Sequence, residues 1–190
     1  MVNHYECDVA IKALLAEKTI LFPTDTVWSV GCLPYAKTAL EQMIQLKPVF
    51  SGDQFEILFD SVDRLKMFVP FLHPKFQTLF AFHQRPLTVV INNARGFPQQ
   101  VYNQHKQISI RIVQDPLCRH LIKEVDAPII TMPAASSNDN FPANFGAIRS
   151  DFLQGVDYVM KIRQRDLLEQ AQLSVKVTLD GQEDFIFLRD

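Results

Sequence analysis

Residues 21–32, LFPTDTVWSVGC, decide the fold and raise the first question about function. The apolar run at residues 19–22 predicts a short buried strand that a proline ends. Thr24, Asp25 and Thr26 follow directly. Ligands of open α/β sheets bind at the carboxyl ends of strands, so two hydroxyls and a carboxylate there are suited to a polar ligand. The alternative is a turn capped by its own Asp and Thr side chains.

The composition is that of an ordinary globular protein, with 190 residues, 47% of them hydrophobic and 21% charged. This length suits a single domain over residues 1–190, with a core that needs neither disulfides nor metal. A net charge of −2 gives no global attraction to nucleic acid or to anionic membranes, although it leaves room for a local basic patch.

The three cysteines are odd in number and form no C-x-x-C pair, which favours a reducing cytoplasmic location. The N-terminus lacks a signal-peptide pattern, and no apolar run approaches the ~18 residues of a spanning helix. We therefore expect a cytoplasmic protein with no membrane partner. The five histidines show no metal-ligand spacing, so no metal site is predicted.

Hydrophobic periodicity predicts alternating helices and strands, hence an α/β fold with a mostly buried, mixed sheet. Ser61 and Asp115 are the predicted N-caps of two helices. The predicted helices cover 7–17, 36–47, 62–69 and 74–83, and another begins at Pro116. The predicted strands cover 19–22, 55–59, 87–91, 107–113, 128–132, 157–162, 173–179 and 185–189, the last two forming a hairpin.

The quoted stretch and five further segments resemble, in order and spacing, the YrdC-like family, the threonylcarbamoyl-AMP synthases and their relatives. The stretch is similar to the family's P-T-D-T-V-Y-G-L-G-C, and APIITMPAASS stands where the family has P-l-v-x-T-S-A-N-x-S-G. The resemblance implies a YrdC/RibB-like open, twisted, mixed sheet flanked by helices, with a concave cleft. The other segments are 46–47, 82–91, 108–122 and 173–181.

The family's cleft binds ATP, normally with Mg²⁺, together with threonine and bicarbonate. A carbamate of threonine attacks the α-phosphate, pyrophosphate leaves, and the product feeds a modification of the adenosine next to the tRNA anticodon. By resemblance, Lys47 and Arg111 are the expected catalytic residues. The expected ligand-binding residues are Thr24, Asp25, Thr26, Trp28, Thr131, Ser136 and Ser174.

Several of these residues also have plain structural interpretations. Lys47 ends a helix, where a lysine favours the helix dipole without any ligand. Arg111 lies on a sheet face and is either solvated or turned into the cleft. Trp28 is equally suited to the core, and Ser136 to a loop. The basic run at 161–165 is either a solvated edge or a contact to a nucleic-acid backbone.

The chain departs from the family where phosphates are held. Val49 and Asp53 occupy positions at which the family has an arginine and a lysine. Charge-assisted hydrogen bonds contribute about 1.5–3 kcal/mol each, so losing two weakens ATP binding by roughly 10² to 10⁴. Met132 and Ala134 replace the serine and asparagine of T-S-A-N, and Val175 replaces a threonine. Ser29, Arg85 and Ser137 stand at family glycines.

Three hypotheses follow from these departures. The first is a protein that retains nucleotide or RNA binding, with tRNA or double-stranded RNA as partner, while catalysis is weakened or lost. The second is an active synthase that uses ATP, threonine and bicarbonate. The third is a drifted enzyme that acts on another small anion. The sequence leaves the oligomeric state open.

Overall fold

The structure is a computed structural model, and its described residues do not include every predicted position. Val49, Asp53, Ser136, Ser137 and Ser174 lie outside them. The described residues are 4–47, 55–83, 85–135, 141–142, 144–168, 175–179, 182 and 184–189.

The predicted helices are confirmed, with ends that shift by less than one turn. A short helix, α6, was not predicted, because five residues are too few to show a helical period. The helices are α1 His4–Leu15, α2 Lys37–Gln45, α3 Val62–Phe68, α4 Pro74–Phe82, α5 Pro116–Glu124 and α6 Ser150–Gln154. None of the described helices is long and apolar enough to cross a membrane.

The predicted strands are confirmed as well, although β7 is shorter than expected. The sequence did not predict β2, whose serine and glycine hide a strand that is buried along its whole length. The strands are β1 Ile20–Pro23, β2 Trp28–Cys32, β3 Glu56–Phe59, β4 Leu87–Ile91, β5 Ile108–Ile112, β6 Ile129–Pro133, β7 Tyr158–Val159, β8 Val175–Leu179 and β9 Phe185–Arg189.

Within the described residues these strands form a nine-stranded sheet in the order β7-β1-β2-β6-β3-β5-β4-β8-β9. The pairs β1–β7, β3–β5 and β4–β8 are parallel, and the others are antiparallel. The mixed, open α/β sheet expected from the sequence is therefore confirmed. The central strands β3, β5 and β6 are almost entirely buried.

Both predicted N-caps are present. The hydroxyl of Ser61 accepts a hydrogen bond from the backbone N–H of Arg64 at 3.2 Å. The carboxylate of Asp115 accepts from the N–H groups of Leu117 and Cys118 at 2.9 and 3.1 Å. These acceptors satisfy N–H groups that have no partner inside the helix, and so fix where α3 and α5 begin.

Strand register places the polar side chains of the sheet centre on one face. Glu56 on β3 is opposite Thr131 on β6, and Leu58, two residues on, pairs with Arg111 on β5. Thr88 on β4 is opposite Arg111 on its other side. Because side chains alternate between the faces of a strand, these four polar side chains share a face.

Candidate active site

Thr24, Asp25 and Thr26 lie in the turn between β1 and β2, where Pro23 pairs with Trp28. The hydroxyl of Thr24 donates to the carbonyl of Val27 at 2.7 Å, and it lies 3.1 Å from the Thr26 hydroxyl. Since Thr24 has one hydroxyl proton, Thr26 is the donor in that pair. Both threonines are buried, so their hydroxyls hold the turn together in this structure.

Arg111 reaches this turn from β5 and is almost fully buried, with 1% of its side chain exposed. One terminal nitrogen donates to Asp25 Oδ1 at 2.5 Å and to Thr26 Oγ1 at 3.0 Å. Of the two alternatives for Arg111, the solvated one is therefore excluded. Arg111 ties the turn to the sheet centre through a charge-assisted contact.

Glu56 is a second carboxylate on the same guanidinium, and the sequence analysis did not identify it. The other terminal nitrogen of Arg111 is 3.2 Å from Glu56 Oε2. The hydroxyl of Thr88 donates to Glu56 Oε1 at 2.7 Å, and that of Thr131 donates to the Glu56 carbonyl at 3.0 Å. We call Asp25, Thr26, Glu56, Thr88 and Arg111 the Arg111 cluster.

The Arg111 cluster carries one guanidinium and two carboxylates, which leaves one net negative charge. Burial on its own would lower the pKa of Arg111, but attraction to Asp25 and then to Glu56 raises that pKa overall. The guanidinium therefore stays charged, and its charge is already met by protein groups. Its Nε–H is buried and has no acceptor among the described residues.

Lys47 lies just beyond the end of α2 and is half-buried. Its ammonium forms no ion pair with any described residue. Burial lowers the pKa of Lys47 from 10.5 to about 8. The side chain therefore changes charge close to physiological pH, as a group that binds or releases an anion or a proton can.

Trp28 is fully buried, and its ring packs edge-on against Phe145 with 5.1 Å between centroids. Its indole N–H is buried, and none of the residues that the structure describes accepts a hydrogen bond from it. A buried donor without a partner costs about 1–3 kcal/mol, so this group departs from the usual pairing of a buried indole. In the structure, Trp28 is therefore a core residue.

Cys118 lies near the cluster, with its thiol 3.7 Å from the carbonyl of Pro23. Burial above all, followed by the charges of Asp115 and Asp25, raises the pKa of Cys118 well above its usual value. A thiol in that state is a poor nucleophile. All three cysteines are buried and unpaired.

The basic run at 161–165 was expected to be either a solvated edge or a nucleic-acid contact. The Arg163 guanidinium is 2.7 Å from Asp115 and 3.3 Å from Asp166. The charge of Arg163 is therefore already paired with two carboxylates of the protein. The structure thus gives Arg163 a structural role at the start of α5.

Of the predicted site residues, the structure brings Asp25, Thr26 and Arg111 into direct contact. Thr24 joins them through Thr26, and Thr131 joins them through the backbone of Glu56. No hydrogen bond or ion pair between described residues links Lys47 or the Trp28 ring to this group. The ligand-binding and catalytic roles assigned to these residues remain predictions.

The sequence contains a signal that points to Glu56. A glutamate that begins an otherwise apolar strand is exceptional, because a buried carboxylate needs a partner. The adjacent strand in the sheet carries Arg111. Only the register of β3 against β5 reveals that the two side chains share a face.

The site offers few of the ligands that Mg²⁺ requires. Mg²⁺ is usually held by one or two carboxylates together with substrate phosphates. Asp25 and Glu56 are suitable carboxylates, although both are paired with Arg111. No group of three or more His, Cys, Asp or Glu side chains in the described part of the chain could hold a metal ion.

Sequence comparison matches residues 12–184 to the family described as Sua5_yciO_yrdC, Telomere recombination. A threonylcarbamoyl-AMP synthase of Pseudoalteromonas translucida is 27% identical over an alignment of 156 residues that covers 78% of this chain and 81% of that relative. One of Hahella chejuensis is 26% identical over 171 residues, covering 86% and 90% of the two chains.

Comparison of structures gives the same fold. E. coli YciO superposes with a TM-score of 0.85 and 16% identity, covering 100% of this chain and 91% of that one. P. abyssi Sua5 gives 0.86 and 17% identity, and this chain spans only 57% of its length. The family match covers most of the sequence, and the chain therefore belongs to the Sua5/YciO/YrdC family.

Proposed function

We propose that this protein is a nucleotide-binding member of the family with weak threonylcarbamoyl-AMP synthase activity. The names of the sequence relatives support the reaction class, since they are threonylcarbamoyl-AMP synthases at 22–27% identity. The likeness of the residue 21–32 turn and of Arg111 to the family motifs supports the location of the site.

The observation that supports weak activity is the second carboxylate on Arg111: Glu56 lies 3.2 Å from the buried guanidinium, in addition to Asp25, which the family motif also has. Adenylyl transfer from ATP depends on positive groups that neutralise the phosphates as charge shifts in the transition state. A guanidinium already neutralised by the protein has little attraction left for phosphate. The family positions now held by Val49 and Asp53 supply no cation either.

Lys47 is the cation that this proposal assigns to the ligand. It forms no ion pair with described residues, and burial brings its pKa to about 8. Mg²⁺ would enter with the triphosphate and neutralise part of its charge. Threonine would be the second substrate. A cytoplasmic location and binding of tRNA or double-stranded RNA remain predictions from the sequence.

A fully active synthase is the competing function, and the names of the relatives favour it. Calorimetric titration with ATP–Mg²⁺ separates the two when the wild type is compared with a Val49→Arg, Asp53→Lys variant. We expect weak binding by the wild type and a gain of roughly tenfold or more in the variant.

The matched control is Asp63→Lys with Met67→Arg, which makes the same change in charge on the exposed face of α3. If both double variants bind ATP equally, the charge lost at positions 49 and 53 is not what limits binding. Tight binding by the wild type would favour the active synthase.

A further inference from the structure

We propose that a pocket beside the Arg111 cluster binds a phosphate group through Arg85 and Arg119. The pocket is open to solvent and has a cavity volume of about 40 Å³. Phe80 and Leu87 form part of its apolar wall, and its polar lining consists of His83, Arg85, Gln114 and Arg119. We call it the Arg85–Arg119 pocket.

The described lining of this pocket is positively charged and contains no carboxylate. Neither Arg85 nor Arg119 forms an ion pair with any residue that the structure describes. Most other arginines of the described chain are paired, as Arg64, Arg111 and Arg163 are. Two uncompensated guanidinium groups at one concave site favour an anion with several oxygens.

The pocket is held in shape by hydrogen bonds within its own lining. Arg119 Nε donates to the carbonyl of Val113 at 2.7 Å, and neither terminal nitrogen bonds another described residue. The side-chain amide of Gln114 donates to the carbonyl of His83 at 3.0 Å. His83 Nδ1 donates to the carbonyl of Arg85 at 2.7 Å. A preformed site loses less conformational entropy when it binds.

The Arg85–Arg119 pocket adjoins the candidate active site. The backbone N–H of Gln114 lies 3.4 Å from Asp25 Oδ2, so one residue of the pocket wall touches the Arg111 cluster. Arg85 stands where the resembling family has a glycine, so this cation is a feature of the present chain. A phosphate held here would receive positive charge that Val49 and Asp53 do not provide.

The phosphate group itself is inferred from the pocket, whereas a nucleotide as its source rests on the proposed function. The test is calorimetry with sodium pyrophosphate and, separately, with ATP. The variants are Arg85→Gln and Arg119→Gln. Arg95→Gln is the control, because it removes an exposed arginine outside the pocket. Circular dichroism checks that each variant is folded.

We expect pyrophosphate to bind and each pocket variant to weaken it at least about fivefold, with Arg95→Gln unchanged. If the two pocket variants lower the affinity for ATP to the same degree, the phosphate group belongs to a nucleotide. If they lower only the affinity for pyrophosphate, the ligand is the free anion. Equal affinities in all three variants, or a wild type that binds neither pyrophosphate nor ATP, would overturn the inference. If pyrophosphate binds through these arginines and the protein has no synthase activity, the proposed function is wrong and the phosphate site is still supported.

Discussion

Arg111 and Glu56 lie on adjacent parallel strands, and their charged groups are 3.2 Å apart with 1% and 13% of the side chains exposed. A pair this deeply buried forms in the folded protein whether or not a ligand is bound. Removing one partner of a buried pair leaves an uncompensated charge. The same ion pair therefore affects both the stability of the fold and the charge of the candidate active site.

Replacing Arg111 by methionine should destabilise the protein by about 3–5 kcal/mol, because Asp25 and Glu56 would both lose their partner. Urea unfolding measures this change. Arg149→Met is the control, because Arg149 pairs with Asp151 at the surface, with 56% and 46% of the two side chains exposed. The control should cost about 1 kcal/mol. Equal costs for the two variants would mean that the Arg111 cluster is not a buried charge network.

Replacing Glu56 by glutamine should strengthen ATP binding, because it removes one negative charge while an amide can still bond Arg111 and Thr88. We expect a gain of about fivefold in affinity, measured by calorimetry with ATP–Mg²⁺. Glu41→Gln, which neutralises an exposed carboxylate on α2, is the control for a general charge effect. The idea fails if the two variants bind ATP alike.

Affinity for ATP–Mg²⁺ should fall as the pH rises through about 8, since Lys47 loses its proton there. Below that pH the ammonium is charged and attracts phosphate, and above it the attraction is lost. Titrations from about pH 7 to about pH 9 would follow this decline, because an unperturbed lysine stays charged over the range. Lys47→Gln should remove the dependence, and Lys12→Gln should keep it. An unchanged slope in Lys47→Gln would exclude Lys47 from the site.

Gly31→Ala should destabilise the sheet by about 1–3 kcal/mol through overpacking. A Cβ at position 31 would lie 2.9 Å from side-chain atoms of both Phe22 and Ile129, and 3.2 Å from the carbonyl of Ile130. Gly146→Ala is the control, since its nearest neighbour would be 3.4 Å away. Thermal unfolding of both variants compares them. Similar melting temperatures would show that β2 and β6 can separate at little cost.

Local features of the sequence predicted most of the fold because caps and apolar runs act over a few residues. Ser61 and Asp115 begin helices where they were expected, and β4 covers the predicted residues. Strand β2 was missed because its serine and glycine resemble the polar turn before it. Its pairing with β6 depends on residues about a hundred positions away, which no local pattern encodes.

The candidate site was predicted only in part for the same reason. Asp25 and Arg111 were both identified from motifs, yet nothing in the sequence showed that they form an ion pair with each other. Glu56 was overlooked within a run that was interpreted as a buried strand. The role of a charged side chain depends on its neighbours across the sheet, and these follow from strand order and register.

The most direct test of the account is the rate of pyrophosphate release from ATP in the presence of threonine and bicarbonate. It should be measured side by side with the threonylcarbamoyl-AMP synthase of Pseudoalteromonas translucida, to which this chain is 27% identical. The account predicts a rate at least about a hundredfold lower, because the missing and neutralised cations remove about 3 kcal/mol or more of transition-state stabilisation. Equal rates for the two proteins would contradict it.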